Sequence, residues 1–145
     1  EGTILYITCE MGSRVCAFHY DKESGHLECL QEISTLDHVC EGNCCSHLVI
    51  SKDGKYLYVG NRGDDSLAIF GIDRKSGLLN FIEDVPTGGQ TPRHFAIDPT
   101  GDYLIAANQD SDELVIFSIC HDTGHLICRN RVQINAPTFV SFVNG

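Results

Sequence analysis

Glu10, Arg62 and Gln109 are three unlike polar residues spaced 52 and 47 positions apart, and Arg93 and His94 lie between the last two. His47 precedes His94 by the same interval of 47. Two guanidinium groups brought together hold a carboxylate or phosphate through forked hydrogen bonds, and either one stabilises an oxyanion forming on an attacked carbonyl. A carboxylate such as Glu10, or an imidazole such as His47, takes the proton of an attacking water. Arg93, Arg62, His47 and Glu10 are therefore the candidate catalytic groups, with Gln109 and His94 as candidate substrate-binding groups. Each has a structural alternative. Arg62 could pair with Asp64 or Asp65 on its own loop, Gln109 could fix the turn in Asn-Gln-Asp-Ser-Asp, and the two histidines could be satisfied core residues. Arg93 is harder to explain away, because a charge preceding an apolar run needs a partner or a ligand.

Other chemistries lack support. Cys40, Cys44, Cys45 and His47 have no standard zinc spacing, so no metal is expected. Thr-Gly-Gly-Gln-Thr-Pro at 87–92 opens no helix and reads as a linker, and there is no Gly-x-Ser-x-Gly elbow. No cofactor is expected. The eight cysteines are scattered in a chain of 145 residues, large enough to fold without staples. They read as reduced thiols of a cytoplasmic protein.

The elements that must position these groups come from an internal repeat. Gly54, Tyr56, Leu57, Asn61, Leu67, Ile69, Phe70, Gly77 and Leu79 reappear, without a gap, as Gly101, Tyr103, Leu104, Asn108, Leu114, Ile116, Phe117, Gly124 and Leu126, 47 positions on. An earlier copy aligns Gly2, Leu5, Tyr6, Phe18 and Gly25 with Gly54, Leu57, Tyr58, Phe70 and Gly77 at an interval of 52. The additional residues fall in the Thr35–Cys45 stretch, which reads as a longer loop. Each copy holds short β-branched and aromatic runs bounded by turn residues, and no segment carries apolar residues at helical spacing over three turns. In the last full copy the runs are about 93–98, 103–108, 113–119 and 125–132. Four antiparallel strands in a period of 40 to 50 residues make one blade of a β-propeller.

The phase of the repeat makes 93–98, 47–51 and 138–143 the innermost strands. The chain is expected to divide into a partial blade at 1–36, whole blades at 47–87 and 93–134, and a lone inner strand of a closing blade at 137–145. Open sheet edges at both ends suggest a piece of a closed ring, whose missing partners would be the preceding blades of the same chain. In a blade whose strands run up and down alternately, the loop entering the first strand and the loop joining the second to the third open on one face. That places Glu10, Arg62 and Gln109 with Cys45, Ser46, His47, Pro92, Arg93 and His94 at one rim.

A formal charge of −10, from 20 acidic and 10 basic residues, makes the surface repel nucleic acid and anionic lipid. No apolar run is long enough to span a bilayer.

The strings YLYVGNRGDDSLAIFGID, TGGQTPRHFAIDPTGDYLIAANQDSDELVIF and LYITCEMGSRVCAFHYDKESGHL resemble the last blades of the lactonase family of seven-bladed propellers. That family includes 6-phosphogluconolactonases and, by similarity of fold, carboxymuconate cyclases. The resemblance implies an all-β, seven-bladed ring, with an N-terminal segment completing the last blade, and hydrolysis of an anionic sugar lactone such as 6-phosphogluconolactone in the pentose phosphate pathway. It also admits a carboxymuconate-type cycloisomerase or a non-catalytic binding scaffold. Where the family carries a glutamate this chain has His47. With most of the rim supplied by other blades, these 145 residues alone are expected to be inactive.

Overall fold

The computed structural model describes residues 3–143. Three antiparallel sheets follow one another along the chain. The first consists of β1 (Thr3–Cys9), β2 (Arg14–Tyr20) and β3 (Leu27–Ser34). The second consists of β4 (Cys44–Ile50), β5 (Tyr56–Arg62), β6 (Ser66–Ile72) and β7 (Leu79–Pro86). The third consists of β8 (Pro92–Ile97), β9 (Tyr103–Asn108), β10 (Glu113–Ile119) and β11 (Leu126–Gln133). Every strand pairs with its sequence neighbour, so each sheet is a simple meander. The one helical piece among the described residues is a 3-10 turn at Glu10–Gly12.

The repeat is reproduced in fine geometry. Pairing with the outermost strand slips by one residue at Ala17/Phe18, Ile69/Phe70 and Ile116/Phe117, the same repeat position each time. Ser13, Asp65 and Asp112, again equivalent, take the left-handed conformation that turns the second strand into the third. Tyr6 donates its hydroxyl hydrogen to the Gly77 carbonyl at 2.7 Å, and Tyr58 does the same to Gly124 at 2.9 Å. One blade thus grips the outer turn of the next.

The second sheet lies between the other two, which explains why β5 and β6 read as almost unbroken apolar runs. Leu57, Val59, Ala68 and Phe70 face the first sheet and pack with Val15 and Leu79. Tyr56, Tyr58, Leu67 and Ile69 face the third and pack with Phe95, Leu104, Val115 and Phe117. Both faces are buried, so alternation disappears. Burial of these side chains stabilises the fold by roughly 25 cal/mol per Å² of apolar surface removed from water.

The inner strands β4 and β8 come together across the second and third sheets. Ser46 Oγ donates to the Pro92 carbonyl at 2.7 Å. Gly60 makes room for this contact, since a Cβ there would lie 2.3 Å from Ser46 Oγ and 3.1 Å from the Phe95 ring.

The expected inner strand at 138–143 does not form. Residues 137–143 run along β8 without a ladder: Val140 N–H donates to His94 Nδ1 at 3.3 Å, and the Phe139 ring stacks on His94. A strand exists through its pairing, and among the described residues no backbone ladder joins this segment to a neighbour. Positions 1, 2, 144 and 145, which the expected partial blade, the Gly2 alignment and the closing strand included, lie outside the described residues.

Candidate functional site

A cleft of about 320 Å³ opens at one rim where the end of β1 meets β4, β5 and β8, walled by Thr8, Glu10, Cys45, Ser46, Arg62 and Arg93. Glu10 is presented by the 3-10 turn after β1, Arg62 by the last residue of β5, and Arg93 by the second residue of β8. Three separate sheets therefore contribute one charged side chain each.

Arg62 is largely buried, with its side chain 18% exposed, and pairs through Nη2 with the carboxylate of Glu10. The same nitrogen donates to the Cys45 carbonyl at 3.3 Å. Its Nε is buried and makes no hydrogen bond. A guanidinium held from one side keeps its remaining donors for a ligand. The pairing with Asp64 or Asp65 considered above does not occur. Asp65 instead accepts from the Thr91 N–H at 2.8 Å, and Asp64 lies 2.8 Å from His38 Nε2. Arg93 is exposed and makes no hydrogen bond or ion pair among the described residues, so the cleft holds one anchored and one uncommitted guanidinium. Glu10 uses one carboxylate oxygen on Arg62; its side chain is 62% exposed.

The two histidines go elsewhere. The His47 and His94 rings stack at 4.0 Å between centroids, His47 meets the edge of Phe95 at 5.2 Å, and Phe139 covers His94 at 4.2 Å. His47, His94 and Phe139 hold matching places on successive inner segments and build a ring stack beside the cleft. The cause is local: side chains alternate along a strand, and the pairing of β4 slips between Cys45 and Leu48, so Ser46 enters the cleft wall while His47 does not. Burial, with the neighbouring His94 adding to it, pushes the His47 imidazole down to about 4, and burial lowers His94 too. Both rings are neutral near neutral pH.

Gln109 is half-buried and does not line the cleft; its backbone N–H donates to the Thr91 carbonyl at 3.0 Å. Thr8 is a wall residue that the sequence reading missed. Its signal was the two-residue period that puts Thr8 on the same face of β1 as Tyr6, toward the second sheet.

Elsewhere, Asp37, His38 and Asp84 offer ligand atoms within 4.8 Å of one another, and Asp37 and Asp64 beside His38 raise its basicity. All eight cysteines are free thiols, and Cys45 is buried against Thr35 and the Arg14 carbonyl.

The model of the family described as lactonase, 7-bladed beta-propeller, matches residues 1–142. The chain belongs to this lactonase family. Among curated relatives, the 6-phosphogluconolactonase of Bacillus subtilis (strain 168) is 35% identical over 89 residues, 61% of this chain and 26% of that protein. The 6-phosphogluconolactonase of Formosa agariphila is 40% identical over 95 residues, 64% of this chain and 26% of that protein. The structure of the periplasmic gluconolactonase of Pseudomonas aeruginosa superposes with a TM-score of 0.86 at 33% identity, over 96% of this chain and 39% of that one. A protein from Lactobacillus plantarum superposes with a TM-score of 0.88 at 28% identity, over 93% of this chain and 40% of that one. The matched part is about a quarter of the length of these curated relatives. The three lactonase sheets are thus blades of a larger β-propeller.

Proposed function

We propose that the complete propeller carrying this chain hydrolyses an anionic sugar lactone, 6-phosphogluconolactone by analogy with the named relatives, as a step of the pentose phosphate pathway in the cytoplasm. The observation that carries this reading is the convergence of Arg62, Arg93 and Glu10, from three blades, on one small cleft. Arg93, uncommitted, meets the charge of the substrate, either its phosphate or the oxygen of the attacked carbonyl. Arg62, fixed by Glu10 and the Cys45 carbonyl, supplies pre-oriented donors for the other. Glu10 accepts the proton of the attacking water through its second oxygen. The water oxygen bonds to the carbonyl carbon, the ring C–O bond breaks, and the released ring oxygen takes the proton back as a hydroxyl. His47 serves as a packing group, since its ring is turned into the stack and is weakly basic there. The reduced thiols fit a cytoplasmic setting.

The test is turnover of 6-phosphogluconolactone by the complete protein, together with its thermal midpoint in 6-phosphogluconate. Hydrolysis and a raised midpoint support the reading, because a ligand that binds the native state alone stabilises it. Absence of both overturns it.

A further inference from the structure

Beside the Glu10 carboxylate, the cleft wall holds a neutral hydroxyl that is left able only to accept. Ser46 Oγ lies in that wall, half-buried, and its single hydrogen is donated to the Pro92 carbonyl, an atom that can accept but never donate. What Oγ has left for the cleft is its lone pairs. Its place is fixed from behind by Gly60, where any Cβ would fall 2.3 Å from Oγ. It is fixed along the strand by the β4 slip that separates Ser46 from the ring stack of His47. The neighbouring wall groups Arg62 and Arg93 only donate, so they receive anionic oxygens and repel a hydroxyl hydrogen.

We propose that Ser46 is a specificity-determining residue that accepts a hydrogen bond from a ring hydroxyl of the substrate, selecting polyhydroxylated lactones over deoxy or purely aliphatic ones. The inference rests on the lactone reading above. It makes Ser46 the counterpart of Arg93: the two occupy the same repeat position on β4 and β8, one turned to the neutral hydroxyls of the substrate and the other to its charge. A donor-only or apolar side chain at position 46 would leave a buried substrate hydroxyl unpaired, and that is where the selectivity arises.

The experiment measures kcat/KM of the complete protein and its Ser46→Ala variant on 6-phosphogluconolactone and on its monodeoxy analogues. The wild type should lose about five- to tenfold on one analogue, the size of one neutral hydrogen bond. Ser46→Ala should lose the same on the parent lactone and nothing further on that analogue. Ser46→Thr, which keeps the acceptor oxygen, should restore part of the selectivity. If Ser46→Ala loses equally on the parent and on every analogue, or on none, Ser46 does not read a hydroxyl. If neither protein turns over any lactone, the failure lies in the lactone reading.

Discussion

Arg62, the last residue of β5, is tied to the carboxylate of Glu10, which occupies the same repeat position one blade earlier. Two equivalent loops of neighbouring blades have thus acquired opposite charges and closed on each other at the rim. With Glu10 mostly exposed, such a pair contributes roughly 0.2–1 kcal/mol to stability. Its larger consequence is to aim the guanidinium.

Glu10→Gln should therefore separate stability from activity. The thermal midpoint should move by no more than a couple of degrees, while kcat should fall about a hundredfold or more, the usual scale of a general base. A variant with wild-type turnover would remove Glu10 from the reaction.

Asn61 and Asn108 are equivalent, fully buried residues with unequal surroundings. Asn61 accepts from Thr35 Oγ1 at 2.7 Å and from Asn43 Nδ2 at 3.2 Å, and donates to the Thr35 carbonyl at 3.1 Å and Ser66 Oγ at 3.2 Å. Both amide atoms of Asn108 lack partners among the described residues. Asn61→Leu should strand its neighbours and destabilise by about 1–3 kcal/mol per unpaired group. Asn108→Leu should cost much less, measured by the midpoint of urea unfolding of the complete protein.

How much of this was legible in the sequence follows from what a repeat encodes. Apolar spacing and turn residues located the strands, and the repeat intervals of 52 and 47 that relate Glu10, Arg62 and Gln109 pointed to the rim. Side-chain commitments were not legible. Asp65 is spent on holding its own turn and the Thr91 N–H, so Arg62 reaches across to another blade, and a one-residue slip in β4 sends His47 away from the cleft. The segment at 138–143 carries strand-like residues yet has no ladder, because pairing is a property of neighbours and not of the segment.

The ring stack makes acid a threat to the fold. His47 is depressed to about 4, so between pH 4 and the ordinary histidine value near 6.5 the unfolded chain binds more protons than the native one. Stability contributed by His47 is therefore present above about 6.5 and is lost as pH falls through that window. His94 acts in the same direction. His38, whose affinity for protons is raised by Asp37 and Asp64, acts oppositely and offsets part of the loss. His47→Phe, which copies the ring found at Phe139, should flatten the fall in thermal midpoint between pH 7 and 4.5. An unchanged pH profile would show that the stack is not the titrating element.

Arg93 bears most directly on the whole account, since it is exposed, lies at the cleft wall and makes no hydrogen bond or ion pair among the described residues. The decisive measurement is kcat/KM of the complete protein and of its Arg93→Ala variant on 6-phosphogluconolactone. A fall of at least about tenfold, equivalent to roughly 1.4 kcal/mol of lost transition-state binding, with the thermal midpoint unchanged, is what a cleft built around anion capture predicts. Equal values for the two proteins would contradict it.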